Sequence, residues 1–423
     1  MIKLIFDATV VTNFFKMNSA RSGIFFAAYN ILNTLMERTD IDVYLYISPD
    51  KFVEAKKLKK IVYPNAKFVL DLNKHNFLTT MNLFFWEKHS KYFSHTFFRK
   101  FFAIGIVFSQ KILCFLAKRE FQMDVFQNAD VFFSPAFEIP KIVRKNSNLL
   151  ACALLYDATP FLFKGYNVGG FNAINKLLKS SRTGDFFFFD SNSAKNDFEK
   201  NFPNIFDNNS AVVHLAANKV FKINKNVQSQ NEIKKKYNIP NGKKYIFSLC
   251  TLEPRKNLVR IAKTFVAFAQ KNNLHDIVLV LGGGHWDDFK KIIEKEIEGF
   301  KSYSDLIIKA GYIDDDDLPI LYSHAEWFVY TSQYEGFGLP PLEAMQCGCP
   351  VITSNNSSLP EVVGDAGIMI DWDSDEQHIE AYEKYYFNEK LRKENSQKGL
   401  ERAKIFSWEK TVDKMVEVLK KRL

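Results

Sequence analysis

The chain has 423 residues, of which 47% are hydrophobic and 25% are charged, and its net charge is +9. This length favours two domains over one compact core, and the balance of residue types excludes a disordered or collagen-like chain. A basic surface favours phosphates, nucleic acid or an anionic membrane. However, no zinc-ligand spacing, basic heptad or aromatic ribonucleoprotein pattern accompanies the charge, so we expect no nucleic-acid partner.

The first predicted element is a strand at Ile2–Phe6, and Asp7 ends its apolar run too early for a signal peptide. The cysteines are odd in number, and most lie in apolar stretches, as expected in a reducing compartment. They are Cys114, Cys152, Cys250, Cys347 and Cys349. Both observations predict a cytoplasmic protein.

Strand-like runs alternate with helical periods along the N-terminal half, which predicts a parallel sheet flanked by helices. A helix starting near Gly23 follows the first strand, and the polar segment from Asn218 to about Asn231 is expected to be a linker. The predicted strands are Ile2–Phe6, Val43–Ile47, Lys67–Leu70, Val131–Ser134, Leu149–Leu155, Phe186–Phe189 and Val212–Leu215.

The stretch from about 73 to 120 does not follow this alternation. Its apolar run Phe101–Ala117 is interrupted at positions 109–111 and is short for a membrane span. We expect a basic, aromatic, amphipathic insert lying on a membrane surface. The alternative is ordinary helices that complete the first domain, with solvated cations. Those cations are Lys88, Lys91, Arg99, Lys100, Lys111, Lys118 and Arg119.

The second half repeats the alternation, and its continuous apolar strands are typical of a sheet buried on both faces. Two doubly wound domains in tandem place a ligand cleft between the carboxyl ends of their strands. The predicted strands are Tyr245–Leu249, Ile277–Leu281, Leu306–Lys309, Trp327–Tyr330 and Val351–Thr353. The predicted helices are Asn257–Gln270, one from about Asp287, and one near Pro341–Gln346.

The densest motif runs from Tyr330 to Met345: a strand end, a glycine-containing turn, and Pro341 at the expected first helical position. The free N–H groups at that helix start form a site for an anion or a hydroxyl. Gly336 and Gly338 would let the backbone approach a ligand closely.

Two carboxylates lie in this motif, Glu335 on the turn and Glu343 in the helix. We expect them to hold different parts of one extended ligand. The alternative is that Glu335 is a solvated turn residue and Glu343 complements the helix dipole.

This motif resembles the group-one retaining glycosyltransferases (family four), whose hallmark is two glutamates separated by seven residues, as Glu335 and Glu343 are. The resemblance implies an α/β chain of the GT-B fold, with two Rossmann-like doubly wound domains facing a cleft. It also implies that Glu335 contacts the donor sugar, together with the turn formed by Gly336, Phe337, Gly338 and Leu339. Glu343 would hold the donor ribose.

A second motif places Arg255 and Lys256 after the strand Tyr245–Leu249, where a helix begins. Cations are unfavourable at that end of a helix dipole, so we expect an anion to offset them. The resemblance assigns them the diphosphate leaving group, whose charge Arg can grip at two oxygens and Lys as a point charge. The alternative is two solvated charges.

Further segments match less closely. Tyr312 and Ile313, after Gly311, resemble the family segment whose backbone meets the nucleotide base. Four consecutive acids at 314–317 are interpreted as a helix start and not as a metal site, since this family needs no bound metal.

In the N-terminal half, Gly23 lies in a segment resembling the loop near the donor phosphate and acceptor. Tyr156 and Asp157 match a family segment that usually reads His-Asp, so Tyr156 replaces a histidine that lies beside the reacting sugar. Both could instead be ordinary strand-end residues. His214 is expected to be structural.

We therefore expect an N-terminal acceptor-binding domain at 1–220, a C-terminal nucleotide-sugar-binding domain at 221–405, and a helix at 406–423 that crosses back. The expected activity is transfer of a hexose, with GDP-mannose favoured as donor, to a glycan or glycolipid with retention of configuration and without a metal or cofactor. An anionic membrane surface on the cytoplasmic side is a further expected partner. The alternatives are a degenerate nucleotide-sugar-binding scaffold, or a GT-B epimerase or phosphorylase.

Overall fold

A computed structural model of the chain describes residues 1–15, 23–91, 96–163, 168–206, 209–251, 253–284 and 303–423. Its strands form two separate, wholly parallel sheets. The predicted helix from about Asp287 lies outside the described residues, as do Arg21 and Ser22 beside Gly23.

The N-terminal sheet has seven strands in the order β3-β2-β1-β4-β5-β6-β7. Strands β2 and β3 lie on one side of β1, and β4 to β7 lie on the other, so the direction of winding reverses between β1 and β4. The strands are β1 (Ile2–Asp7), β2 (Ile41–Tyr46), β3 (Lys67–Phe68), β4 (Val131–Ser134), β5 (Leu150–Leu155), β6 (Phe186–Phe189) and β7 (Ser210–Val212). The predicted last strand, Val212–Leu215, was placed too late: pairing with β6 runs from Ser210 to Val212, and the buried residues beyond it lie in a loop.

The C-terminal sheet has six strands in the order β10-β9-β8-β11-β12-β13, with the same reversal between β8 and β11. Its strands are β8 (Lys244–Leu249), β9 (Ile277–Gly282), β10 (Ile307–Gly311), β11 (Trp327–Tyr330), β12 (Val351–Ser354) and β13 (Gly367–Ile370). This is the predicted doubly wound arrangement, in which ligands bind at the carboxyl ends beside the reversal.

Helices cover the sheets. In the N-terminal half they are α1 (Gly23–Met36), α2 (Phe52–Ile61), α3 (Asn76–Lys91), α4 (Thr96–Ala117), α5 (Met123–Gln127), α6 (Thr159–Leu162), α7 (Val168–Ser180) and α8 (Asn192–Asn201). In the C-terminal half they are α9 (Val227–Lys236), α10 (Leu258–Lys271), α11 (Leu318–His324), α12 (Leu339–Gln346), α13 (Leu359–Val363), α14 (Asp375–Phe387), α15 (Glu389–Ala403) and α16 (Trp408–Arg422).

The phenylalanine run of β6 is core on both faces of the sheet. Side chains alternate across a strand. Phe186 and Phe188 therefore join the large core that contains Phe133, whereas Phe187 and Phe189 pack with a separate cluster around Phe206. All four phenylalanines of the strand are buried, so this part of the unusual composition has a packing function.

The predicted linker is partly helical. Residues 227–236 form α9, whose first turn is capped by the Asn226 side chain accepting from the Ser229 N–H at 3.1 Å. Ile233 is buried under this helix. The polar composition that suggested a linker reflects the exposed faces of a short amphipathic helix.

The last helix returns to the N-terminal domain, as predicted. The Thr411 hydroxyl on α16 donates to the His214 carbonyl at 2.6 Å, and Lys420 pairs with Asp40 at 2.8 Å. Met415 and Leu419 are buried on the inner face of this helix. The two domains are thereby joined on the side of α1.

Within the segment 73–120, the helices α3 and α4 pack against each other, and we call this pair the α3–α4 hairpin. Inside it, the Asn82 amide donates to the Ser109 hydroxyl at 2.8 Å. One stretch of α4, Phe97–Ala117, is long and apolar enough to cross a membrane by length and composition alone. It is longer than the apolar run that the sequence suggested, because the helix continues back to Thr96.

Candidate active site

Three side chains meet at the carboxyl ends of β8 and β11, where the winding of the C-terminal sheet reverses. Lys256 Nζ lies 2.6 and 2.8 Å from the two carboxylate oxygens of Glu335. The same ammonium group donates to the Tyr330 hydroxyl at 2.8 Å, and that hydroxyl donates to Glu335 at 2.9 Å. A closed triangle of charge-assisted hydrogen bonds results.

Arg255 extends this cluster. Its guanidinium donates to the Tyr334 carbonyl at 2.9 Å and lies 3.4 Å from Glu335 and 3.1 Å from Glu253. The Arg255 carbonyl accepts from the Gln333 N–H at 2.7 Å. The two predicted cations therefore lie on one turn, Pro254–Lys256, tied to the turn that carries Glu335.

Asn257 explains how this turn joins the helix behind it. Its backbone is left-handed, with φ of 61°, a conformation that asparagine tolerates better than most residues. Its side-chain amide donates to the Thr331 carbonyl at 3.0 Å. The turn is thereby anchored to the end of β11.

The anion expected to offset Arg255 and Lys256 is present within the protein, and it is Glu335. Burial alone would raise the pKa of Glu335, but Lys256 and Arg255 outweigh burial and hold this pKa below its usual value. Glu335 therefore stays ionised, and both cations stay close to the carboxyl ends of the strands. The sequence analysis expected an anion beside these two cations. A carboxylate of the protein itself meets that expectation, so the cations alone do not imply a ligand.

Glu343 lies in a different environment on α12. The Tyr322 hydroxyl donates to it at 3.2 Å, and burial, with a smaller contribution from Asp315, raises the pKa of Glu343 to about 7. The two glutamates thus occupy a turn and a helix, as predicted, with opposite pKa shifts. One carboxylate is held ionised, and the other can exist in both forms near neutral pH.

The start of α12 differs from the prediction. The helix begins at Leu339 with Pro340 in its first turn, and Gly338 precedes it with φ of 118°. Pro341 is therefore not the first helical residue. A Cβ added at Gly338 would lie 2.8 Å from Leu359, so this glycine is required by both backbone conformation and packing.

Gly336 is required by the opposite domain. A Cβ there would lie 2.6 Å from the Tyr156 carbonyl oxygen and 2.8 Å from Asp157 Cβ. The Gly336 carbonyl accepts from the Ser191 hydroxyl at 2.6 Å. The close approach that Gly336 permits in this structure is to the Tyr156 backbone of the opposite domain.

Tyr156 and Asp157 lie at the carboxyl end of β5, facing the Glu335 turn across the cleft, as predicted. Asp157 accepts from the Thr159 N–H at 2.9 Å. Within the described part of the chain, the buried Tyr156 hydroxyl has no hydrogen-bond partner. Asp190, at the end of β6, is also buried, and burial followed by the charge of Asp157 raises the pKa of Asp190 well above its usual value.

The remaining predicted residues lie in both domains, Gly23 in the N-terminal one and the others in the C-terminal one. A Cβ at Gly23 would lie 3.7 Å from Leu339, so the start of α1 lies against the start of α12. Phe337 is buried beside the His214 and Phe406 rings, 6.1 and 5.7 Å away. Tyr312 is exposed, whereas Ile313 is buried.

Four functional candidates were not singled out from the sequence: Tyr322, Tyr330, Asp190 and Glu361. Glu361 on α13 links the domains, because its carboxylate accepts from the N–H groups of Asn192 and Ser193 at 2.8 and 2.7 Å at the start of α8. His214 lies 3.4 Å from the same carboxylate, which gives it the structural role expected. Three of the four had a sequence signal. Tyr330 lies in the glutamate motif, and Asp190 and Glu361 lie in the segments 190–193 and 357–362, which also resemble segments of the family.

Among the residues that the structure describes, no group of three or more His, Cys, Asp or Glu side chains is arranged to hold a metal ion. Two of the acids at 314–317 form ion pairs. Asp314 and Asp317 accept from Lys236 at 2.6 and 2.5 Å, and Asp317 precedes the first residue of α11.

The geometry agrees with what sequence comparison finds. Residues 229–402 match the family described as "Glycosyl transferases group 1". The chain carries a group 1 glycosyltransferase domain. That domain contains Arg255, Lys256, Glu335 and Glu343, and its first residues lie in α9.

Curated relatives to which the chain is similar include two mannosyltransferases of Escherichia coli. O-antigen chain mannosyltransferase B is 38% identical over 180 residues, which is 42% of this chain and 45% of the relative. Serotype-specific mannosyltransferase WbdA is 30% identical over 268 residues, which is 62% of this chain and 32% of the relative. The aligned part therefore spans less than half the length of each relative.

Solved structures show the same fold over the whole chain. WaaG, a glycosyltransferase involved in lipopolysaccharide biosynthesis, is 14% identical with a TM-score of 0.61, covering 99% of both chains. Anabaena HepE in complex with UDP and glucose is 12% identical with a TM-score of 0.64, covering all of both chains. The chain has the predicted GT-B architecture.

Proposed function

We propose that this protein transfers mannose from GDP-mannose to a glycan or glycolipid acceptor, with retention of configuration, in the synthesis of a bacterial surface polysaccharide or glycoconjugate. The observation that carries the proposal is the cluster of Lys256, Arg255 and Glu335 at the winding reversal, facing Asp157 across the cleft. The mannosyltransferases to which the chain is similar favour mannose as the sugar.

The cluster suits departure of a nucleoside diphosphate. When the bond between the anomeric carbon and the diphosphate breaks, negative charge grows on phosphate oxygens, and fixed cations stabilise it without reorganisation. Lys256 has three N–H donors and Arg255 has five, so both can bind phosphate oxygens while Glu335 keeps them in place. We propose that this charge compensation makes a bound metal unnecessary.

The carboxylates have separate tasks in this proposal. Ionised Glu335 accepts hydrogen bonds from donor-sugar hydroxyls, and Glu343 accepts from the ribose hydroxyls, as the family resemblance implies.

Other residues of both domains surround the donor in this proposal. The backbone of Gly336 to Leu339 lines the sugar, and Tyr312 and Ile313 adjoin the base. Asp157, Tyr156 and the Gly23 segment meet the sugar and the acceptor from the other domain. Closure of the cleft would exclude water and favour transfer over hydrolysis.

The first test is thermal melting with GDP, UDP, ADP, CDP and dTDP. A ligand at a hundred times its dissociation constant stabilises the folded state by about 2.7 kcal/mol. We expect the largest shift with GDP, no added effect of EDTA, and loss of the shift in Lys256→Gln, which keeps a donor for Glu335. Lys271→Gln, on the far end of α10, is the matched control. A larger shift with another nucleotide would replace GDP-mannose as the donor.

The second test is turnover of GDP-mannose with mannosylated acceptors, with the anomeric configuration of the product read by NMR. A product with inverted configuration would contradict the retaining assignment.

Tyr156, in place of the usual histidine, favours one alternative function, a scaffold that binds the nucleotide without turnover. That alternative predicts the melting shift but no product with any acceptor tried. Conversion of the nucleotide-sugar alone, or a requirement for free phosphate, would indicate an epimerase or a phosphorylase.

A further inference from the structure

The α3–α4 hairpin presents a large apolar face outside the protein core. On α4 this face recurs at helical spacing, and its ring and aliphatic side chains are half or more exposed: Phe97 75%, Phe101 58%, Ile104 69%, Phe108 62% and Phe115 58%. On α3, Phe77, Phe84 and Trp86 are exposed as well. An exposed apolar stripe like that of α4 marks a binding face.

The opposite face of α4 packs against the rest of the protein. Ile106, Ser109, Leu113 and Ala117 are buried at helical spacing, and Leu113 and Ala117 belong to the same core as Phe6. The second half of α4 is thus part of the N-terminal domain and cannot lie at the centre of a bilayer. The helix is attached to its domain along its buried side, although Phe97–Ala117 is long enough to span.

Charge identifies the partner. Between residues 73 and 120 the sequence has eight Lys or Arg residues and two Glu residues, and α4 itself has no acid. Cations lie beside exposed rings: Lys88 Nζ is 5.4 Å from the centre of the Phe84 ring, and the Arg119 guanidinium is 4.7 Å from that of Phe115. Aromatic rings with cations alongside suit the headgroup level of an anionic bilayer, where rings enter the acyl boundary and Lys stems snorkel.

We propose that the α3–α4 hairpin docks in the plane of a membrane containing anionic lipids, with the stripe from Phe97 to Phe115 entering the interface. The hairpin lies at the carboxyl edge of the N-terminal sheet, because the Gln110 amide donates at 3.4 Å to the carbonyl of Asp50, which follows β2. That is the edge facing the cleft. Docking would therefore present the cleft to acceptors in the membrane; only this last step rests on the proposed transfer activity.

Co-sedimentation of the full chain with vesicles tests docking. We use phosphatidylcholine alone and phosphatidylcholine mixed with phosphatidylglycerol. The variant Phe101→Ser/Ile104→Ser/Phe108→Ser should lose about tenfold or more in partitioning to both. The matched control, Val227→Ser/Phe387→Ser/Ile405→Ser, changes equally exposed side chains of the other domain and should bind like the wild type.

A second variant separates charge from apolar contact. Lys100→Gln/Lys111→Gln/Lys118→Gln should reduce partitioning by about fivefold per cation, and only on the anionic vesicles. Lys235→Gln/Lys390→Gln/Lys393→Gln is its matched control. Nucleotide melting shifts of all four variants should equal the wild-type shift, so a failure of docking is distinguishable from a failure of the proposed function.

Four outcomes would overturn the proposal. The wild type could fail to sediment with anionic vesicles, or the apolar variant could bind as the wild type does. Resistance of the vesicle-bound chain to alkaline carbonate would indicate a spanning helix. If the wild type self-associates without lipid and the apolar variant does not, the face covers a second copy of the chain and not a membrane.

Discussion

Lys256 Nζ lies 2.6 and 2.8 Å from the two carboxylate oxygens of Glu335, although the residues are 79 positions apart in the chain. The pair forms because β8 and β11 are neighbours in the sheet and each strand ends in one of the two turns. Both side chains are almost covered, with 12% and 11% exposed. The pair is therefore both a structural link and the proposed site of phosphate binding.

Removing one partner of this pair should cost more than removing both. Lys256→Ala leaves the buried Glu335 carboxylate with Arg255 as its neighbouring cation, at 3.4 Å. Breaking a buried pair on one side lowers the free energy of unfolding by about 3–5 kcal/mol. Lys256→Met/Glu335→Leu should cost less, because no unpaired charge remains. Urea unfolding measures both. Equal losses of unfolding free energy in the single and double variants would show that Lys256 does not compensate the charge of buried Glu335.

Glu343 should make stability depend on pH in the neutral range. Its pKa is raised by burial from 4.5 to about 7 in the folded state, so the folded protein binds more protons than the unfolded chain between these values. Stability should therefore fall as the pH rises from about 4.5 to about 7, by up to about 3 kcal/mol. Glu343→Gln should flatten that part of the profile, whereas exposed Glu376→Gln should leave it unchanged. An unchanged profile in Glu343→Gln would contradict the assignment.

Gly336→Ala should hold the cleft open. The new methyl group would lie 2.6 Å from a backbone oxygen of Tyr156, and neither that oxygen nor the Glu335 turn can move without separating the domains. We expect a larger radius of gyration by X-ray scattering and at least a tenfold loss of transfer activity. Gly23→Ala, whose methyl group would have a normal 3.7 Å contact, should keep the wild-type radius. A wild-type radius in Gly336→Ala would contradict domain contact at this glycine.

Tyr156→Phe should separate catalysis from stability. In the described residues the buried Tyr156 hydroxyl has no hydrogen-bond partner, so its removal should change the free energy of unfolding by less than about 0.5 kcal/mol or raise it. If the hydroxyl binds the donor sugar in place of the usual histidine, turnover should still fall severalfold. Tyr330→Phe is the contrast, because that hydroxyl bonds Lys256 and Glu335 and its loss should lower stability. Unchanged turnover in Tyr156→Phe would remove Tyr156 from the site.

Much of the architecture was predictable because the apolar pattern within a strand or a long helix indicates which of its residues are buried. Phe186–Phe189 and Trp327–Tyr330 were predicted with their observed bounds, since an uninterrupted apolar run is a local signal. The linker prediction was wrong at 227–231, which belong to α9. One buried residue, Ile233, stabilises this helix, and its polar composition hides it from the sequence pattern. Strand β13 was also missed, because Gly367–Ile370 is short and only half buried.

The sequence by itself determined the doubly wound architecture, the two glutamates and the two cations, because these are patterns of neighbouring residues. Only the tertiary structure decided that Glu335 is the anion that offsets Lys256, that Gly336 makes room for the opposite domain, and that Glu361 links α13 to α8. Each of these contacts joins residues far apart in the chain. The spatial distance between these residues is set by the order of strands in the sheets and by how the two domains meet. No local stretch of sequence specifies either of these.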